Sequence, residues 1–299
     1  MLNLDQLRIF RAVAPSLSFT HAAEMVNLTQ PGISKHVKQI EEHFGILLFD
    51  RSGKKVALTE AGEVLFEATQ EVMATIEAAE RRIDDLKGLR GGRLRVGSSF
   101  PVGVYFLPKV LAEFRGRYPA VEMALEICLS ETVEDKLLAN DLDLGLMSIS
   151  PRDPRIVARA FLRDEIVAIV PPGHRWDGKR MIAPQELAEE TFIVAAQGAG
   201  TRAIMEWRLR ALGIGLSKLL EFGNLEGVKH AVEAGLGISA QARIVVRREV
   251  EAGTLRAIRL GGMDTDIEFF LARRKNTHLT HAARELVAML EAAGGHSPA

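Results

Sequence analysis

Residues 22–62 read AAEMVNLTQPGISKHVKQIEEHFGILLFDRSGKKVALTEAG, and this stretch decides the fold of the first part of the chain. Thr29 can cap a helix that has Pro31 in its first turn, and Gly45 can end that helix. Between them, apolar residues recur at gaps of four, three and four, which predicts one buried helix face: Ile33, Val37, Ile40 and Phe44. Two apolar runs around a Ser-Gly-Lys-Lys turn then predict a β-hairpin with a basic tip.

Helices are predicted on both sides of this stretch. A first helix carries apolar residues at three-residue steps, namely Leu4, Leu7, Phe10 and Val13, and a second, Ala-rich helix follows Ser18 and Thr20. Residues 59–89 contain no proline and show an apolar stripe with coiled-coil-like spacing: Leu65, Val72, Ile76, Ala79, Ile83 and Leu86. A long helix of this kind needs a partner for its stripe. Gly88, Gly91 and Gly92 then predict a flexible joint.

From Arg93 onward, short apolar runs alternate with helical patterns, which predicts a wound α/β sheet in two lobes. The predicted strands are RLRVG (93–97), VEMALEI (121–127), DLGLMS (143–148), EIVAIVP (165–171), TFIVA (191–195), KLLEF (218–222), GIS (237–239), LRAIRL (255–260) and IEFFLAR (267–273). The predicted helices lie near residues 103–118, 132–139, 200–212, 225–234 and 281–293.

The composition limits the class of protein. The 299 residues include 38 Lys and Arg against 39 Asp and Glu, so nucleic-acid binding would depend on local charge. With 47% hydrophobic residues, a chain of this length is expected to form two or three folded units. Cys128 is the single cysteine, which excludes an intramolecular disulfide, and we interpret it as a buried strand residue. Without a signal-peptide pattern or an apolar run of about 20 residues, we expect a cytoplasmic protein with no membrane partner.

The exposed side of the third helix carries groups that can contact DNA. If Ile33 and Val37 face the core, four polar residues point outward: Gln30, Ser34, Lys35 and Lys38. Gln can read adenine, Lys can read guanine and Ser can contact either base. Taken alone, such a face is more often an ordinary solvated surface. Residues 1–60 carry seven Lys and Arg against six Asp and Glu, so binding would rest on charge placement and dimer avidity.

The ordered set of these cues resembles the DNA-binding signature of the LysR-type transcriptional regulators. The cues run from Leu4 to Gly62: an Ala-Ala helix, a Thr-Gln-Pro start, Ser-Lys on the reading helix, Glu-Glu-x-x-Gly, Leu-Phe-x-Arg and Leu-Thr-x-Ala-Gly. The resemblance implies a winged helix-turn-helix DNA-binding domain (1–58), a linker and dimerisation helix (59–90) and a periplasmic-binding-protein-like effector domain of two α/β lobes (91–299). It also implies groove contacts by Gln30, Pro31, Ser34 and Lys35, and phosphate contacts by Arg51 and Lys54.

This resemblance implies a transcription regulator rather than an enzyme, with promoter DNA and a small effector as partners. The expected assembly is a dimer or a homotetramer made of two dimers, and RNA polymerase is a further candidate partner. The runs GAGTR (198–202) and GNLEGVKHAVEAGLGIS (223–239) resemble the branch of sulfur-assimilation and carbon-fixation regulators.

Hydroxyl and small residues follow predicted strands or open predicted helices in both lobes. Open α/β sheets bind ligands beyond the carboxyl ends of their strands, and helix N-termini favour anions. Each position alone is more often a structural helix cap. Their recurrence predicts a cleft for a small anionic effector, such as a sulfur oxyanion or a phosphorylated or carboxylated metabolite, and no other cofactor. The candidate effector contacts are Ser98, Ser99, Thr132, Gly200, Thr201, Arg202 and Asn224.

Two other classes of protein fit parts of the chain. A two-lobed solute-binding protein for a small anion would explain the α/β part but not the first ninety residues. An α/β enzyme is less consistent, because the Gly-x-Gly-x-x-Ala pattern at 235–240 follows a helix and enters a strand, the reverse of a dinucleotide site. A metal site at His278 and His281 is not expected. The sequence leaves open the effector, the target genes and the choice between activation and repression.

Overall fold

A computed structural model describes residues 2–51, 56–86, 92–198, 200–275 and 277–295. The chain divides into two compact units, Met1–Ile83 and Asp84–Ala299. Lys54 and the predicted joint at Gly88 and Gly91 lie outside the described residues. Within the described ranges, no helix is long and apolar enough to cross a membrane.

The first unit consists of three packed helices, a short hairpin and a long helix. In chain order these are α1 (Leu4–Ser16), α2 (Phe19–Met25), α3 (Gln30–Phe44), β1 (Phe49–Asp50), β2 (Ala57–Leu58) and α4 (Glu60–Leu86). The predicted boundaries of α3 are confirmed. The Thr29 side chain accepts from the backbone N–H of Gly32 at 3.3 Å, and Gly45 ends the helix in the left-handed region at φ +68°.

The core of this unit forms along the predicted stripe of α3, with one exception. Ile33, Val37 and Ile40 are fully buried against Phe10 and other residues of α1 and α2. Phe44 continues the spacing but is exposed, so its predicted burial is wrong. It lies in the last turn of α3, where Gly45 directs the chain away from the core.

Glu41 attaches the hairpin to α3. Its Oε1 accepts hydrogen bonds from the backbone N–H groups of Leu48 at 2.9 Å and Phe49 at 3.4 Å. Its Oε2 lies 3.8 Å from Arg51, whose guanidinium also stacks over the Phe19 ring at 4.5 Å from the centroid. One carboxylate therefore holds the start of β1 and the residue that follows it.

The second unit is an α/β domain. Its first half contains β3 (Arg93–Ser98), α5 (Phe100–Tyr105), α6 (Leu107–Arg117), β4 (Glu122–Ile127), α7 (Ser130–Leu138), β5 (Leu144–Met147) and β6 (Ile156–Val170). Its second half contains β7 (Met181–Ile182), a 3-10 helix (Pro184–Glu189), β8 (Phe192–Val194), α8 (Gly200–Ala211), β9 (Leu219–Glu221), α9 (Leu225–Glu233), β10 (Ser239–Ala242), α10 (Arg243–Ala252), β11 (Arg256–Leu260), β12 (Asp266–Arg274) and α11 (His281–Gly294).

The sheet of this unit has the strand order β4-β3-β5-β12-β6-β11-β7, and β10 also pairs with β6. Strands β3, β4 and β5 are parallel and belong to the first lobe, whereas β8 and β9 form a parallel pair in the second lobe. Strand β6 is much longer than the predicted run that starts at Glu165. Nine of its first ten residues pair with β12, and its last residues pair with β10 and β11, so it runs through both lobes.

One helical prediction in this unit is wrong, and one helix was not predicted. The helix predicted near residues 103–118 is two helices, α5 and α6, which meet at Phe106. Pro108 in the first turn of α6 has no N–H to donate to the preceding turn, which accounts for the break. Helix α10 was not predicted at all. It starts without a side-chain cap of its own, and Asp164 of β6 instead accepts from the backbone N–H of Ile244 at 2.8 Å.

We predict that Glu41→Ala loosens the hairpin. The substitution leaves the partly buried N–H groups of Leu48 and Phe49 without their acceptor, at a cost of about 1–3 kcal/mol. Hydrogen exchange of full-length protein, read on peptides that cover 46–51, should become faster. The adjacent Glu42 is the control, because its side chain is 63% exposed and that of Glu41 is 11% exposed. Unchanged protection in Glu41→Ala would contradict the anchoring role.

Candidate functional site

In the first unit, the predicted DNA-contacting residues share the outward face of α3 near its N-terminus. Gln30, Pro31, Lys35 and Lys38 are exposed and Ser34 is half-buried. Gln30 Nε2 donates to Ser34 Oγ at 3.1 Å, and Lys38 lies 3.7 Å from Glu42. Among the described residues, Lys35 has no ionic partner. This face therefore offers an amide, a hydroxyl and an uncompensated ammonium within about two helical turns.

Arg51 makes contacts within the protein that the sequence did not indicate. Its contacts with Glu41 and the Phe19 ring hold it beside the start of the hairpin. The side chain is still 44% exposed, so its predicted phosphate contact is open to test. Lys54, the other predicted phosphate contact, lies outside the described residues.

In the second unit, a cleft opens between the two lobes, where the first turns of helices from both lobes meet. The first lobe contributes Ser99, Ser130 and Ser148 to its lining, and the second lobe contributes residues of α8, α9 and β10. The cavity has a volume of about 80 Å³. This is room for a few water-sized groups or one small metabolite.

Gly200 allows the close approach of the two lobes at this cleft. A Cβ at this position would lie 2.7 Å from Ser148 Cβ, and real Cβ atoms do not approach that closely. Only glycine therefore lets the N-terminus of α8 reach the serine cluster of the first lobe. Three helices of nine or more residues, α7, α8 and α9, have residues of their first turn in the lining.

The hydroxyls of the first lobe retain protons for a ligand. Ser148 Oγ and Ser99 Oγ are 2.8 Å apart, so one proton is shared within the pair and one is left. Ser130 Oγ accepts from the backbone N–H of Ser148 at 3.1 Å, which leaves its own proton to donate. This side of the cleft is thus a cluster of neutral hydrogen-bond donors.

Two further polar groups come from the second lobe. Thr201, in the first turn of α8, is buried, and none of the hydrogen bonds within the described part of the chain involves its hydroxyl. Asn224 caps α9, with its Oδ1 accepting from the backbone N–H of Gly227 at 2.8 Å. Its amide NH₂ is left for the cleft, which Asn224 lines.

The guanidinium of Arg202 already has ion-pair partners within the protein. Its Nε donates to Glu206 at 2.7 Å, and its Nη1 donates to Glu221 at 2.8 Å and to the backbone oxygen of Ala195. These contacts fasten α8 to β9 within the second lobe. The prediction that Arg202 awaits an anion is therefore revised: the guanidinium lines the cleft, but protein carboxylates already neutralise it.

Five of the seven predicted effector contacts come together in the cleft and two do not. Ser99, Gly200, Thr201, Arg202 and Asn224 are in the lining. Ser98 is fully buried behind it and donates to the backbone oxygen of Ser99 at 3.1 Å, and Thr132 lies outside it on α7.

Besides Cys128, five polar lining residues were missed: Ser130, Ser148, Glu206, Ser239 and Gln241. Ser148 ends a predicted strand, so the argument that selected Ser98 as an effector contact applied to Ser148 as well. Gln241 lies inside β10, and no feature of the sequence around it indicated an effector contact.

Cys128 is not the buried strand residue that was predicted. It follows β4, is half-buried and lines the cleft. Burial raises the pKa of its thiol, and the carboxylate of Glu126 acts in the same direction. The thiol therefore stays protonated near neutral pH, which disfavours a nucleophilic role.

Both units match known family models. Residues 4–63 match the bacterial regulatory helix-turn-helix protein, lysR family, and residues 87–295 match the LysR substrate binding domain. A RuBisCO operon transcriptional regulator of Allochromatium vinosum is 36% identical over 298 residues, which cover 99% of this chain and 98% of the relative. The HTH-type transcriptional regulator CbbR of Rhodospirillum rubrum is 34% identical over 97% of this chain and 96% of the relative.

Solved structures agree with these matches. A full-length OxyR variant from Pseudomonas aeruginosa has a TM-score of 0.73 at 21% identity and covers 98% of this chain and 94% of that chain, which shows the fold. The regulatory domain of CcmR from Synechocystis, solved in complex with 2-PG, has a TM-score of 0.64 at 26% identity and covers 70% of this chain and all of that one. The helix-turn-helix unit, the two-lobed domain and the relatives agree, and the chain belongs to the LysR family of DNA-binding transcriptional regulators with an effector-binding domain.

Proposed function

We propose that this regulator controls genes of carbon fixation in response to a small anionic metabolite bound between its lobes. The relatives named as RuBisCO operon regulators support the gene class. The proposal of an anionic ligand rests on one observation. Hydroxyls that still have a proton to donate and the N-termini of helices converge on one cleft. The proposal also includes a cytoplasmic protein without catalytic activity of its own, which works with RNA polymerase.

Neutral donors suit an anion that must be released again. Among the described lining residues, Arg202 is the one positive charge, and it is bound by Glu206 and Glu221. An anion would therefore be held by hydroxyl and backbone N–H groups and by the positive ends of the helix dipoles. The ligand in the structure of the CcmR domain, 2-PG (2-phosphoglycolate), is an anion and supports this class. A neutral apolar metabolite would leave these donors without partners.

The effector is proposed to act by shifting the population of two arrangements of the regulator. Such a shift requires that the effector binds one arrangement more tightly than the other. A solute-binding protein for transport is the alternative for the two-lobed domain alone. The helix-turn-helix match over residues 4–63 favours the regulator.

We expect Thr201→Ala to weaken anion binding by about 1 kcal/mol, because it removes a buried donor that has no protein partner in the described part of the chain. Calorimetry and thermal shift with phosphate, sulfate and 2-phosphoglycolate measure the effect. Thr132→Ala is the matched control, since Thr132 is outside the lining. If Thr201 only supports its helix, the variant would melt at a lower temperature and keep the full ligand-induced stabilisation. That outcome would remove Thr201 from the site.

A second prediction concerns DNA reading by α3. Lys35→Ala should weaken binding to the DNA upstream of the regulator's own gene by about 1–3 kcal/mol and leave binding to random DNA nearly unchanged. Lys54→Ala should weaken both alike, because phosphate contacts carry no sequence information. The control is Lys109→Ala, an exposed lysine of the second unit. Gel shifts at matched salt measure all three. Equal losses on both DNAs for Lys35→Ala would exclude base reading by that residue.

The third prediction concerns self-association through α4, proposed as dimers that pair into a tetramer. Val72 and Ile83 are exposed on this helix, at 42% and 56%, and Ile76 is half-buried. Replacing Ile76 and Ile83 with Asp would place charge in the seam and should lower the oligomer mass. Glu67→Lys, at an exposed position on the opposite side of the helix from this stripe, should leave it unchanged. Sedimentation equilibrium decides, and an unaltered mass in the double variant would assign assembly to another surface.

A further inference from the structure

Strand β10 presents a polar pair to the effector cleft. Ser239 and Gln241 are two residues apart on this strand and so point to the same side. Both line the cleft and both are buried, at 0% and 4% exposure. The strand is fixed behind them by its antiparallel pairing with β6, in which Ser239 lies opposite Ile169 and Gln241 opposite Val167.

The hydrogen bonds of this pair determine which end of the Gln241 amide is left without a partner in the described part of the chain. Ser239 Oγ donates its single proton to the backbone oxygen of Ile193 at 2.7 Å. A backbone oxygen can only accept, so Ser239 Oγ has no proton left for a second bond. The contact of 3.0 Å between Ser239 Oγ and Gln241 must therefore use the amide Nε2 as donor. The opposite orientation would bring two acceptors together without a proton.

Gln241 Oε1 is consequently a fixed acceptor, and it has no hydrogen-bond partner in the described part of the chain. A buried polar atom of this kind requires a donor, from water or from a ligand. Glu206 supplies the one carboxylate among the described lining residues, and Arg202 already binds it at 2.7 Å. The lining residues thus combine a cluster of donors with one unpartnered acceptor.

We infer that the effector is a hydroxylated anion, whose hydroxyl donates to Gln241 Oε1 while its anionic group contacts the hydroxyls of Ser99, Ser130 and Thr201. This inference rests on the proposed anion site and narrows its preferred ligands to hydroxy acids and phosphorylated polyols, over anions without a hydroxyl such as 2-phosphoglycolate. An anion without a donor would displace water from Gln241 Oε1 and leave that oxygen unsatisfied. The cost of this unsatisfied oxygen would make the site selective for ligands with a hydroxyl, because a site that hydrogen-bonds a hydroxyl rejects the analogue that lacks it.

The test compares matched ligands that differ by the hydroxyl alone. The pairs are 3-phosphoglycerate with 3-phosphonooxypropanoate, 2-hydroxypropyl phosphate with propyl phosphate, and glycolate with acetate. Calorimetry on the full-length protein should show that the hydroxylated member of at least one pair binds about tenfold more tightly or better. Gln241→Met, which keeps the length of the side chain and removes the acceptor, should abolish that preference and leave the affinity for the deoxy member similar.

Two further variants separate the possible outcomes. Thr201→Ala should weaken both members of a pair equally and keep their ratio. Ser239→Ala frees the amide to turn and should reduce the preference even where Gln241→Met folds poorly. Equal binding within every pair, or a preference that survives in Gln241→Met, would overturn the inference while the anion site stands. If no member of any pair binds the wild type, the anion site fails and this inference fails with it.

Discussion

Strand β6 runs through both lobes of the second unit, and its hydrogen bonds to β12 are the constraint on which the effector cleft depends. The ladder joins Ile156–Glu165 to Asp266–Arg274, and the remaining residues of β6 hold β10 and β11 of the second lobe. Asp164, near the middle of β6, caps helix α10. Burial raises the pKa of that carboxyl. Because one continuous strand carries both lobes, the N-terminus of α8 can stand directly against Ser148, provided that residue 200 is glycine.

The charges around the cleft stabilise the protein rather than the ligand. Breaking the contacts of Arg202 with Glu206 and Glu221 would leave a largely buried guanidinium and two carboxylates to be solvated again. An anion that recruited Arg202 would have to overcome that cost, whereas the hydroxyls of Ser130 and Thr201 are available without rearrangement. Binding by neutral groups is weaker per contact than binding by a free guanidinium. It also depends more on the geometry of the ligand, which suits discrimination among small metabolites of similar charge.

Sequence reasoning succeeded where the physical signal is local and failed where it comes from elsewhere in the fold. The cap, the stripe and the end of α3 are encoded between Thr29 and Gly45, and all three were predictable. Helix α10 was missed because its cap is Asp164, some eighty residues earlier. The ion pairs of Arg202 were not predicted for the same reason, since Glu221 is supplied by β9. Hydroxyls at strand ends located the cleft, but which of them face it depends on packing: Ser99 does and Ser98 does not.

Ion pairs within the first unit limit the positive charge that is available for DNA binding. Arg51 is paired with Glu41 and Lys38 with Glu42, so few cations remain uncompensated in the described part of this unit. Non-specific affinity grows with the number of phosphates that are neutralised. One copy of this unit would therefore bind weakly, and the proposed dimer would gain mainly through effective concentration. That gain would be lost if the spacing of the two copies of the unit did not match the spacing of the DNA half-sites. In the proposed dimer, a small change in this spacing would therefore control DNA binding without any change in the contacts of α3.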